Sequence, residues 1–254
     1  MSATLRVLEH NAVVYRRTWR GSVLVSFISP ILYLAAMGVG LGNLIPRVPS
    51  AGQVSYLAFL APGLLAANAM QTGAMESMYP VMGKIKWMKT YEAMLATPVR
   101  VWDLVAGEVL WLGIRLGMVA ISFFIVMVLF HAVGSPLGVL AVPAALLTGI
   151  AFAAPILAFS ATQHNDSGFN AVQRFIIIPL FLLGGTFFPI AKLPAVFQAI
   201  AWATPLAHGV ALTRGLTVGG LTASAAAGHL AVLALYGGAG FVAASITLRR
   251  RLVT

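Results

Sequence analysis

The chain has 254 residues, of which 60% are hydrophobic and 9% charged, with a mean hydropathy of +0.93. A soluble domain needs far more polar surface, so the solvent for most of this chain is lipid. The formal net charge of +10 does not point to nucleic acid, because the basic residues sit at the ends of apolar runs. With no cysteine, the chain has no disulfide framework, thiolate nucleophile or thiolate metal site. The runs are long and continuous rather than short and alternating, which excludes a β-barrel and predicts an all-α polytopic bundle.

In chain order, residues 4–20 place Leu5, Leu8, Ala12, Tyr15 and Trp19 at helical spacing, with Arg6, Glu9, Arg16, Arg17 and Arg20 on the other faces. That pattern predicts an interfacial amphipathic helix with its basic face toward anionic headgroups, not a cleaved signal peptide. Six spans follow at about residues 22–43, 56–82, 104–130, 136–160, 171–187 and 226–248. Each approaches the ~20 residues that cross the hydrocarbon, the fifth being shortest. Placing the N-terminus inside gives twelve basic residues on cytoplasmic ends, from Arg6 to the run Arg249, Arg250 and Arg251. Three, Arg47, Lys192 and Arg214, fall on outer segments. The bias predicts both termini in the cytoplasm.

Two segments break the regular pattern. Between spans 2 and 3, GKIKWMKTYEAMLATPVRVWDLVAGE carries Trp87, Tyr91, Met94 and Leu95 at helical spacing among Lys86, Lys89 and Glu92. Thr97-Pro98 ends that helix, and Asp103 is placed to cap span 3. Such a helix either floats at the headgroup boundary or is gripped by a soluble partner. After span 5, FLLGGTFFPIAKLPAVFQAIAWATPLAHG is apolar yet holds Gly184-Gly185, Pro189, Pro194 and Pro205. Gly184-Gly185 and Pro189 end span 5, Pro194 suits a first helical turn, and Pro205 ends the helix after it. The expected product is a re-entrant hairpin over residues 188–216, covered by protein or a cavity. Phe187, Phe188, Pro189 and Pro205 form its candidate outer gate.

Arg115 is expected ~15 Å inside span 3, where an unpaired charge costs on the order of 3 kcal/mol. Its partner is either Glu108, on the same helix face, or Glu76 on span 2; the pair contacts substrate or holds the two spans together. Gly38/Gly42 and Gly113/Gly117 match the close-packing G-x-x-x-G pattern, and the second pair could crowd Arg115. Enzymatic chemistry finds little support. QHNDSG gathers His164, Asp166 and Ser167 in one short loop, where Asp166 or Ser167 caps span 5. The histidines lack metal spacing, and no G-x-x-x-x-G-K-[ST] phosphate loop occurs. If transport is ATP-driven, nucleotide binds another chain.

The blocks WMKTYEAMLATPVRVWDLVAGEVLW and GGTFFPIAKLPAVFQAIAWATPLAHGVALTRG, with SPILYLAAMGVGLG at span 1, resemble the permease subunits of type-2 ATP-binding-cassette exporters. The resemblance is nearest to the nodulation lipo-oligosaccharide and daunorubicin-resistance branch and covers nearly the whole chain. It implies one transmembrane domain over residues 1–254, with six spans, the re-entrant hairpin and a coupling helix at residues 87–98. Trp87, Lys89, Tyr91 and Glu92, flanked by Arg100, would then meet the ATPase. The implied assembly has two permease copies, a homodimer in the simplest case, and two ATPase subunits that carry the ATP and magnesium. This chain would bind no cofactor or metal itself. The implied setting is a bacterial cytoplasmic membrane, and the implied cargo an amphiphile: glycolipid, lipo-oligosaccharide or hydrophobic drug. An ion-coupled secondary transporter is the main alternative and would place acidic residues and helix breaks near mid-membrane. A non-transport membrane scaffold is the other.

Overall fold

The computed structural model describes residues 2–40, 47–48 and 54–253. Among them the chain is almost wholly helical: α1 Ala3–Tyr15, α2 Trp19–Tyr33, α3 Tyr56–Met82, α4 Thr90–Leu95, α5 Val101–Leu129 and α6 Ala141–Ser160. There follow α7 Ser167–Val172, α8 Ile178–Leu183, α9 Ala195–Trp202, α10 Pro205–Val218 and α11 Ala223–Leu252. Two short strands, β1 Arg47–Val48 and β2 Val54–Ser55, pair antiparallel ahead of α3.

Among the described residues, four helical stretches are long and apolar enough to cross a membrane: Trp19–Met37, Val101–Leu129, Pro136–Ser160 and Ala223–Leu252. A fifth arises if α9 and α10, bent by 83° at their junction, count as one broken span. Two of the six expected spans differ from that simple pattern. The first is α3, whose boundaries agree with residues 56–82 but which carries Asn68, Gln71, Thr72 and Glu76 among its apolar residues. Most of its residues are buried, while these four stay half-buried along one side of the helix. The second is the fifth run, a 17-residue helix over Ser167–Leu183.

The core is built by close backbone approach. A Cβ on Gly73 of α3 would lie 2.5 Å from the Gly149 carbonyl oxygen of α6, and one on Gly240 of α11 would meet the Pro155 ring of α6. Small residues at these crossings let α6 lie directly on both neighbours. The expected close-packing pair Gly113/Gly117 does not act this way. Gly113 faces open space and Gly117 meets only Leu146 at ordinary contact distance, so no crowding aims Arg115. Gly42 of the Gly38/Gly42 pair lies outside the described residues.

Among the described residues, three wide π-turns extend or interrupt the helices, at Leu34–Gly40, Gly83–Trp87 and Gln173–Ile177. The expected helix over residues 87–98 is therefore divided. The π-turn carries α3 on to Trp87, and Lys89 then takes a left-handed conformation at φ 50°. Only Thr90–Leu95 forms the next helix. A non-glycine residue at positive φ breaks helical continuity, which accounts for the shorter α4.

Candidate functional site

The N-terminal helix is clamped to the N-terminal half of α5. Its packed stripe is Thr4, Val7, Asn11 and Tyr15, one position away from the Leu5, Leu8, Ala12 pattern that periodicity suggested. Gly107 makes the approach possible, because a Cβ there would lie 2.6 Å from that of Val7. Thr4 Oγ1 donates to Asp103 at 3.2 Å, and Asp103 also accepts from the Arg100 amide at 3.3 Å, so it caps α5 as expected. Leu5, Val13 and Val14 stay exposed on the outer side of α1, an apolar face suited to lipid.

Beneath that contact, Glu108 is almost fully buried and ion-paired with Lys84, whose Nζ lies 2.8 Å from each carboxylate oxygen. Asn11 completes the cluster, donating to Glu108 at 3.0 Å and accepting from Lys84 at 2.7 Å. The Lys84 ammonium also stands 5.8 Å from the Tyr91 ring centroid. Tyr91, expected on a docking surface, is instead fully buried and anchors α4 to the bundle. Its hydroxyl makes no hydrogen bond of ordinary geometry. Burial, reinforced by the Glu108 carboxylate, pushes the phenol well above its usual range. The exposed face of this segment is left to Trp87, Met88, Lys89 and Glu92. Lys89 and Glu92 approach to 3.8 Å, too exposed to add much stability.

Two turns farther along α5, Arg115 meets Glu76 of α3, with Nη2 to Oε1 at 2.6 Å. Of the two expected partners the structure selects Glu76, because Lys84 already occupies Glu108. Tyr15 lies under the guanidinium, 4.5 Å from its ring centroid, and packs edge-on against Trp111 at 5.5 Å. The Glu76–Arg115 pair lines a cleft of about 690 Å³ between α2, α3 and α5. Its other polar walls are Ser22, Ser26 and Ser29 of α2 and Asn68, Gln71 and Thr72 of α3. The Asn68 side-chain oxygen is buried there without a hydrogen-bond partner.

On the opposite half, α9 ends at Trp202, Pro205 opens α10 at its first turn, and α10 continues past Arg214-Gly215 to Val218. Phe187 packs edge-on against Phe181 at 5.1 Å, Phe188 is exposed, Pro189 precedes a short 3-10 turn, and Pro205 is buried. The close approach in this region is between Gly184 and Leu206. Arg214 carries weight that the sequence reading missed. It donates from Nε to the Phe59 carbonyl at 3.0 Å and from Nη2 to those of Gly185 and Thr186 at 2.8 and 3.3 Å. Its guanidinium also lies 3.7 Å over the Phe59 ring. The signal was a lone arginine in an apolar helix near a Gly-Gly break, whose released carbonyls need donors.

In the QHNDSG loop, Asn165 accepts from the Ser167 amide, while the Asp166 side chain makes no capping bond. His164 is drawn to Lys86 and Arg251, with no catalytic grouping around it. His208 and His229 share a 2.9 Å Nδ1–Nδ1 hydrogen bond beside Trp202. No group of three metal-ligating side chains occurs among the described residues.

Residues 4–217 match the family described as ABC-2 type transporter. Nodulation protein J of Rhizobium leguminosarum bv. viciae is 32% identical over 249 residues, which is 98% of this chain and 95% of the relative. Nodulation protein J of Neorhizobium galegae is 30% identical over 97% of this chain and 92% of its own length. The inner membrane transport permease YadH of Escherichia coli K12 is 25% identical, covering 76% and 74% of the two chains. With a family match over most of its length and a relative spanning nearly all of it, the chain belongs to the ABC-2 type transporter family.

Proposed function

We propose that this chain is the membrane-spanning permease of an ATP-driven exporter, working as a homodimer with two separate ATPase subunits in a bacterial cytoplasmic membrane. In this reading α2, α3, α5, α6, the Ser167–Leu183 helix and α11 are the six spans, with both termini cytoplasmic. The bent α9–α10 pair is a re-entrant hairpin. Its 83° bend and the Tyr236 hydroxyl bond to the Ala203 carbonyl at 2.7 Å support that assignment. Tyr236 lies 13 residues into α11, or ~20 Å along it, so the hairpin tip meets that helix well past its first turns.

The observation that carries the proposal is an unbroken line of contacts from the exposed α4 segment to the cleft. Tyr91 seats α4 against Lys84; Lys84 holds Glu108 and Asn11; and α1 continues through Tyr15 to Arg115 and Glu76 on the cleft wall. Force applied by an ATPase at Trp87, Lys89 and Glu92 reaches the cleft through paired, buried groups. These move as a unit because separating them exposes unpaired charge. The cleft is polar toward α3 and opens beside lipid-facing α2, an arrangement suited to an amphiphile whose polar head needs hydrogen-bond partners while its tail stays in lipid. A glycolipid or lipo-oligosaccharide fits that description.

The test is reconstitution with the ABC ATPase. The purified pair should co-elute and hydrolyse ATP, and Glu92→Arg should abolish co-elution while leaving the permease folded. Export of a labelled amphiphile by the permease alone, driven by an ion gradient, would overturn the reading.

A further inference from the structure

A second groove, of about 630 Å³, runs between the α4–α5 connection and the last turns of α11, outside the cargo cleft and the coupling cluster. Its upper wall is apolar. Val242 and Ile246 are one helical turn apart on α11, and both are exposed, as is Trp102 of α5. Trp102 packs edge-on against Phe241 at 4.6 Å and closes the floor. The Ser245 hydroxyl is satisfied by its own helix at the Phe241 carbonyl. At one end the lining changes to two exposed arginines, Arg100 and Arg249. The ion pairs among the described residues use Lys84, Lys89 and Arg115, so these two guanidiniums stand at the groove mouth without a carboxylate.

An apolar trough along two membrane helices that ends in two cations, with a tryptophan at the boundary, has the form of a lipid bound tail-in and headgroup-out. We infer that this groove holds one acidic phospholipid of the cytoplasmic leaflet, its phosphate between Arg100 and Arg249 and an acyl chain against Trp102, Val242 and Ile246. The inference rests on the cytoplasmic orientation proposed above. It takes Arg100 from the ATPase surface, where the family resemblance set it, and assigns it to lipid. Because Leu95 and Val99 also line the groove, the lipid wedges the connection between α4 and α5. A cytoplasmic-leaflet headgroup, rather than a soluble anion, is the occupant the long apolar wall requires.

The full-length chain is tested without the ATPase, so its outcome is independent of the export reading. It is placed in phosphatidylcholine vesicles in which either phosphatidylglycerol or phosphatidylcholine carries brominated chains, and tryptophan quenching is compared in wild type and Trp102→Phe. The quenching lost in Trp102→Phe is that of Trp102. It should favour brominated phosphatidylglycerol, with each arginine contributing about a fivefold preference. Arg100→Gln/Arg249→Gln should remove the preference, and Arg100→Lys/Arg249→Lys should keep most of it. In wild type, added salt should erode it. Equal quenching by the two lipids, a preference that survives the double glutamine variant, or displacement by soluble glycerol phosphate would each overturn the inference. So would a Trp102 that neither lipid quenches, since a protein surface would then cover the groove.

Discussion

Lys84 and Glu108 form the most enclosed ion pair among the described residues, with side chains 15% and 3% exposed. They join the end of α3 to the start of α5 and, through Asn11, bring α1 into the same contact. Removing one member strands the other. Glu108→Ala should destabilise the protein by roughly 3 kcal/mol or more, and Lys84→Met by a similar amount, whereas the double variant should recover part of the loss. Thermal unfolding in detergent, monitored by size-exclusion recovery, provides the cycle. Equal and additive losses would show that the pair is not coupled.

Tyr91 gives a prediction with a definite pH sign. Its phenol is raised well above 10.0 in the folded protein because burial, then the neighbouring Glu108 charge, disfavour the phenolate. The unfolded chain therefore releases this proton first. The contribution to stability is fully present below pH 10.0 and declines as pH rises past it toward the folded value. Tyr91→Phe removes a buried hydroxyl without a partner and should be nearly neutral at pH 7. Above pH 10 it should be more stable than wild type. Tyr91→Ala, by contrast, opens a cavity and should cost about 3–5 kcal/mol, releasing α4. Alkaline denaturation midpoints of the three proteins decide the matter.

The sequence made the elements legible wherever one long apolar run met an ordinary boundary. Ser55 caps α3 through the Ala58 amide, and Ser135 with Pro136 starts the next helical stretch, so both limits could be read closely. The left-handed Lys89 and the π-turn before it were not legible, since neither residue type advertises that geometry. Charge pairing was half legible. Glu76 and Arg115 stand out as a pair, whereas Lys84 reads only as one of the twelve basic residues at the cytoplasmic ends, and its pairing with Glu108 across two antiparallel helices shows in the structure. Arg214 reads only as one of three basic residues on outer segments, because its partners are carbonyl oxygens, which sequence patterns do not show.

Arg214 should accordingly resist even conservative replacement. Lysine has three donors on one atom and cannot span Phe59 on one side and Gly185 with Thr186 on the other as the guanidinium fork does. Arg214→Lys should lower thermal stability by about 1–3 kcal/mol, and Arg214→Ala by more, through unpaired carbonyls at the Gly184-Gly185 break. Faster hydrogen exchange confined to residues 184–190 would identify that break as the site of damage. Uniform exchange across the bundle would argue against it.

Glu76 and Arg115 distinguish a structural pair from a working one. At 26% and 11% exposure the side chains border the cleft, so the pair is screened more than Lys84–Glu108 and should contribute about 1–2 kcal/mol. Arg115→Gln should reduce folded yield modestly, and the charge-swapped Glu76→Arg/Arg115→Glu should restore it, because the attraction survives reversal. Export should not be restored. In the wild type Tyr15 lies beneath the guanidinium, and a carboxylate at 115 cannot use that ring face, so α1 loses its grip on the cleft wall. A swapped variant with full yield, normal ATPase stimulation and little export would make this pair part of the cargo path. Full export from that variant would reduce it to a brace between α3 and α5.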